Sequence, residues 1–137
     1  MRPILIGLIA LCIGMPAHAQ YGVKVPQTVK KAFANKYPGV TNVRWTKENA
    51  DYEVSFADQQ RKMTAVYGAN GEQKETEVSI PLDQLPSAAK KYASSKGKIT
   101  EAALITKPNG EIEYEAEVNH NDLLFDKQGN FIRQQKD

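Results

Sequence analysis

The sequence predicts an α+β fold of two tandem repeats, each with one helix and about four antiparallel strands. The helices are expected on one face of a continuous antiparallel sheet. Three observations predict this. Tyr52–Phe56 reads YEVSF and Tyr114–Val118 reads YEAEV, the same alternation in two distant places. Each segment follows an apolar stripe at helical spacing that opens beside a proline. In each half a glycine-containing turn separates the last two strands.

The elements follow in order. Val25, Val29, Ala32, Phe33 and Tyr37 keep the spacing of one helical face. Pro26 suits a first helical turn, where its missing N–H costs nothing, and Pro38-Gly39 stops the helix. Four alternating segments come next: Val43–Thr46, Tyr52–Phe56, Lys62–Tyr67 and Glu75–Ile80. Asn70-Gly71 predicts a type I′ hairpin turn, since both residues tolerate positive φ. The pattern then restarts. Leu85, Ala88, Ala89, Tyr92 and Ala93 repeat the helical stripe, with Asp83 as its expected N-cap, Pro86 in its first turn and Gly97 as its exit. Ile99, Ala102 and Leu104 answer Val40, Val43 and Trp45, so Trp45 is expected in the core. Glu111–Val118, Leu123–Phe125 and a last strand from Phe131 complete the second half.

The predicted boundaries are an export signal at 1–19, a first repeat at 20–82 and a second at 83–137. Together the repeats form one compact domain, because Ile80–Asp83 is a short joint. The first residues have the three parts of a cleaved leader: Arg2, the apolar Ile4–Ile13, and Ala17-His18-Ala19. Leu11 before Cys12, with apolar residues after it, argues against lipid anchoring. Removing the leader removes Cys12, the chain's one cysteine, so the mature domain holds by packing alone. The chain is then periplasmic or secreted. A net charge of +2 without a basic stripe excludes a nucleic-acid binder, and no second apolar run could span a membrane.

The Val-Pro and Leu-Pro helix starts, AFANKYPGV, the Val43-Arg44-Trp45 strand, YEVSF and the half containing YEAEV and LLFD resemble the PepSY-like family of small exported bacterial proteins. That family is similar in fold to the β-lactamase-inhibitor proteins. The resemblance covers Val25 to Phe131 and implies a two-layer α+β tandem repeat outside the cytoplasm. It also implies a regulatory or inhibitory role toward an enzyme. Two departures weigh against β-lactamase inhibition itself. The inhibitors carry a disulfide in each repeat and an aromatic-rich concave sheet, whereas here Trp45, Tyr52, Phe56 and Tyr114 fall on the inward register. The inhibitors' acidic hairpin corresponds in position only to Lys47–Asp51, which places Glu48 among the candidate contacts.

No catalytic constellation is expected. His120 is the one histidine after the leader and reads as a turn residue of His120-Asn121-Asp122. One histidine and no cysteine give no zinc set, and no cofactor or metal is expected. Glu111, Glu113, Glu115 and Glu117 fall on one face, their carboxylates ~7 Å apart along the strand, too far for one calcium ion to bridge several. Such a face suits a basic protein surface. The simpler reading is a solvated face with charges paired across the ladder. Aligning the repeats adds Arg44, Asp51 and Glu53 to that face. The expected function is therefore a non-catalytic, exported binding or regulatory module that meets a protein of the cell envelope or exterior on its exposed sheet. The alternative is a binder of small ligands or envelope polymers, a sugar or peptide, in the groove between repeats.

Overall fold

The computed structural model describes residues 22–136, so the leader expected at 1–19 lies outside the described residues. Helix α1 (Gln27–Lys36) precedes strands β1 (Arg44–Glu48), β2 (Asp51–Asp58), β3 (Arg61–Tyr67) and β4 (Gln73–Ser79). After a short 3₁₀ turn at Leu82–Gln84, helix α2 (Ser87–Lys96) precedes β5 (Ile99–Thr106), β6 (Ile112–Val118), β7 (Asn121–Phe125) and β8 (Phe131–Lys136). All eight strands form one sheet in chain order, and every neighbouring pair is antiparallel. The two repeats join through β4 and β5, which pair edge to edge.

In both helices proline is the N-cap, so each helix starts just after its proline and later than the sequence suggested. Pro26 has ψ 145°, outside the helix, and its carbonyl accepts the amides of Val29 and Lys30 at 3.1 Å. Pro86 does the same for Lys90 at 2.9 Å. Asp83 is therefore not an N-cap. It lies in the 3₁₀ turn, because proline's fixed φ already sets the helix start.

Turn chemistry differs from expectation in an instructive way. Gly71 has φ +85° but Asn70 does not have positive φ, so this is not a type I′ turn. The Gly71 amide donates to the Gly68 carbonyl at 2.9 Å, a type I turn followed by a left-handed glycine. Lys107–Gly110 and Asp126–Gly129 repeat that arrangement with the same 2.9 Å bond. Positive φ at both central residues occurs instead at Gln59-Gln60 and Asn119-His120. His120 is thus a turn residue, but Asn121 and Asp122 belong to β7. Gly71 and Gly129 are the equivalent glycines of the two repeats. A Cβ on Gly71 would stand 3.0 Å from the Thr28 carbonyl oxygen of α1. On Gly129 it would stand 2.9 Å from the Ala89 nitrogen of α2. Each repeat's last hairpin rests on its own helix.

Each repeat has its own core on the helix side. In the first, Val29 and Phe33 meet Tyr52, Val54, Phe56, Met63, Ala65 and Tyr67. Phe33 lies edge-on to Trp45, Phe56 and Tyr67, with centroids at 5.6, 5.0 and 6.5 Å. In the second, Ala89 and Ala93 meet Ile99, Ala102, Ala116, Val118, Leu123 and Phe125. These small residues let α2 lie close to β6, and aromatic bulk moves to its flank, where Tyr92 stacks on Phe131 at 4.7 Å.

Candidate functional site

Register places the carboxylates on the sheet face that carries neither helix. Thr46 pairs with Glu53, Glu53 with Val66, and Val66 with Glu75. Glu77 continues through Ile105 to Glu113, and Ala103 through Glu115 to Leu124 and Arg133. Glu101, Glu117, Asp122 and Gln135 form the next row. Alternation along β2, β4 and β6 produces this arrangement, because their apolar residues take the helix side.

The expectation of a solvated face is corrected. Glu113, Glu117 and Asp122 are only 5, 7 and 5% exposed, and Ala103, Ile105 and Leu124 between them are buried. The physical reason is the side chains around them. Arg133 lies across β7 to reach Glu113 on β6, and Lys107 meets the same carboxylate, so long side chains cover this part of the face. The carboxylates border a trough floored by Ala103, Ile105 and Leu124.

The predicted site residues divide into three groups. Glu113, Glu115 and Glu117 lie along β6 inside the trough. Glu111 falls outside the strand, exposed in the hairpin turn, where its amide donates to Asn109 Oδ1 at 2.9 Å. Arg44, Glu48, Asp51 and Glu53 sit at the β1–β2 end. Glu53 is half-buried and feels both Arg44 and Glu48, while Asp51 is drawn to Lys74 at 2.8 Å. The trough also brings in Glu75, Glu77, Asp122, Arg133 and Lys107, which sequence reasoning did not assign to a site. The alternation of Glu75 and Glu77 was a usable signal for two of them.

Electrostatically the trough is unbalanced. Arg133 Nη2 and Lys107 Nζ both pair with Glu113, at 3.0 and 2.7 Å. Burial alone would push the Glu113 carboxyl up, but these hydrogen bonds and charges outweigh it and hold the group below the usual carboxylate range. Glu115 and Glu77 shift the opposite way. Burial first, then the charges of Glu77, Asp122, Glu117 and Glu75, pushes the Glu115 carboxyl up to about 9. Burial, then Glu53, Glu75, Asp122 and Glu101, pushes Glu77 to about 7. Burial likewise raises Glu53 and Glu75. Among the described residues no group of three or more acids, histidines or cysteines is arranged to hold a metal ion. A cavity of about 400 Å³ lies where the repeats meet, sharing Glu75 and Lys107 with the trough and lined also by Lys36, Gln73, Thr76 and Thr106.

Comparison with known proteins agrees with this geometry. Residues 22–67 and 50–133 match the family described as "Putative beta-lactamase-inhibitor-like, PepSY-like". A "putative periplasmic" protein of Bacteroides eggerthii shares the fold at a TM-score of 0.69 and 20% identity, over 82% of this chain and 88% of that one. A BLIP-like protein of Bacteroides fragilis does so at 0.61 and 20%, over 82% and 86%. A DUF2874 family protein of Bacteroides uniformis does so at 0.68 and 18%, over 82% and 89%. No curated protein matches the chain. No helix among the described residues is long and apolar enough to cross a membrane. With the match running across both repeats, the chain belongs to the PepSY-like, beta-lactamase-inhibitor-like family.

Proposed function

We propose that this chain is an exported, non-catalytic module that binds and regulates a protein partner through the helix-free face of its sheet. The observation that carries the reading is the one-sided covering of the sheet. Both helices pack on one face, while the other keeps a trough with an apolar floor and more carboxylates than cations. Charge and shape together offer a binding surface. A leader at 1–19 and the periplasmic description of one relative support export.

The test compares charge reversal on the two faces, with folding checked by circular dichroism. Glu53→Lys with Glu75→Lys alters the trough side, and Lys30→Glu with Lys90→Glu alters exposed helix positions. Loss of partner capture from envelope extract only in the first variant supports the reading. Loss only in the second rejects it.

A second reading rests on the cavity between repeats, whose amides, hydroxyls and Lys36 suit a small polar ligand such as a sugar or peptide. A thermal-shift screen tests it, since a ligand at 100 times its Kd adds about 2.7 kcal/mol.

A further inference from the structure

The sheet is open, so β1 and β8 are its rims, and among the described residues no strand lies outside either. In an antiparallel rim alternate residues turn N–H and C=O outward, where another strand can pair with them. The fold itself shows that a strand in the place of β1 accepts such a neighbour. Leu104 of β5 corresponds to Trp45 of β1, so Ala103–Thr106 correspond to Arg44–Lys47. Strand β4 lies antiparallel along Ala103–Thr106. The matching stretch of the first repeat is bare.

The residues of β1 say which neighbour suits it. Arg44-Trp45-Thr46-Lys47-Glu48 is complementary to its own reverse. When two copies are laid antiparallel about Thr46, Arg44 faces Glu48 at both ends, Trp45 faces Lys47, and Thr46 faces Thr46. Opposite charges and threonine pairs are favourable across a ladder, and lysine beside an indole adds a cation–π contact. The faces agree as well. Thr46 pairs with Glu53 on the helix-free side, while Trp45 and Lys47 pair with the buried Val54 and Tyr52 on the helix side. Arg44 and Lys47 are exposed, and Trp45, Thr46 and Glu48 are half-buried. A lysine on a rim ordinarily repels other strands, but here each cation of the strand meets an acid or an aromatic ring of its copy.

The other rim does not match. Strand β8 carries Arg133 and Lys136 and no acid, so two β8 strands would set cation against cation. Strand β8 against β1 would bring one acid to four cations.

We propose that β1 pairs with β1 of a second copy of this chain, about a two-fold axis at Thr46, joining the two sheets into one. This goes beyond the partner-binding reading and does not rest on it. Facing residues of an antiparallel pair share a face, so both troughs open to the same side. A target with two matching sites would then be met twice at once. Five residues a side make an interface well below the ~1,600 Å² of a stable complex, so the dimer is weak, with a Kd on the order of 100 μM.

The experiment is analytical ultracentrifugation of the purified protein from about 5 μM to about 1 mM, a range that brackets this Kd. Expected is a monomer that becomes a dimer and grows no further, because a two-fold contact closes on itself. Arg44→Glu and Glu48→Arg should each weaken the dimer about tenfold, since symmetry turns two attractive pairs into two repulsive ones. Mixed in equal amounts, these two variants should associate with each other about as tightly as the original chain does with itself, because every reversed charge then faces its opposite. The double exchange Arg44→Glu with Glu48→Arg should restore self-association within one chain, and it decides the matter if a single variant does not fold by circular dichroism. A monomer at the highest concentration overturns the proposal. So does a dimer that neither reversal weakens, and so do folded single variants that fail to associate on mixing. Growth past the dimer would mean head-to-tail pairing of β1 with β8 and overturns it too.

Discussion

Arg133 of β8 reaches past β7 to grip Glu113 of β6, with Nη2 3.0 Å from one carboxylate oxygen. Glu113 is deeply buried, but the Arg133 side chain is 44% exposed and Lys107 shares the same carboxylate. Solvent screening and the second partner limit the loss when the arginine is removed. Arg133→Ala should therefore destabilise by about 1 kcal/mol, less in high salt. Urea denaturation at low and high ionic strength checks both the size and the salt dependence. No salt dependence would place the guanidinium outside the pair.

Stability should fall as pH rises above the normal carboxylate range. Glu77 and Glu115 have native pKa values raised by burial and neighbouring acids, to about 7 and about 9. Over that window the unfolded chain has already lost protons that the folded chain keeps. The contribution is thus fully present below about pH 4.3 and is lost as pH climbs through 7 and 9. Each group contributes a slope of up to about 1.4 kcal/mol per pH unit. Thermal melts from pH 5 to 9 should show a declining Tm, and Glu115→Gln should flatten the decline. A Tm that rises across this range contradicts the assignment.

Gly129 and Gly110 separate steric from conformational cost. Both have positive φ, +89° and +83°, but only Gly129 has backbone in the way. An alanine Cβ there meets the Ala89 nitrogen and Pro86 Cβ at 2.9 Å, whereas at Gly110 nothing lies within 4 Å. Gly110→Ala should cost about 1 kcal/mol from left-handed strain alone. Gly129→Ala should cost at least about 2 kcal/mol, because the β7–β8 turn must lift off α2. Equal losses by denaturant titration would contradict the docking of that turn.

The first repeat depends on one ring. Phe33 contacts Tyr37, Trp45, Phe56 and Tyr67, so Phe33→Ala should cost about 3–5 kcal/mol. Trp45 lies on the helix side as its register suggests but is only half-buried, and Trp45→Ala should cost roughly half as much. Chemical denaturation of both variants orders them. A larger loss at Trp45 would reverse the roles assigned to the two rings.

Much of the architecture was legible because its signals are local. Period-two alternation in YEVSF and YEAEV fixed which side chains face the helices, and the two Pro-led stripes located α1 and α2. Turn types were less legible. Asn70-Gly71 suits both a type I′ turn and a left-handed glycine after a type I turn, and only the ladder register decides between them. The burial of Glu113, Glu117 and Asp122 was not legible at all. It depends on neighbours from other strands, such as Arg133 arriving from the far edge, which leave no mark in the local pattern.

The unbroken chain order of the strands bears on how the molecule is assembled. Every pairing joins consecutive strands, and only the β4–β5 pairing must close over a helix. Contact order is accordingly low for a sheet this wide, and loop-closure entropy is small at nearly every step. A polypeptide emerging unfolded can add one hairpin at a time to a growing edge, without waiting for its far terminus.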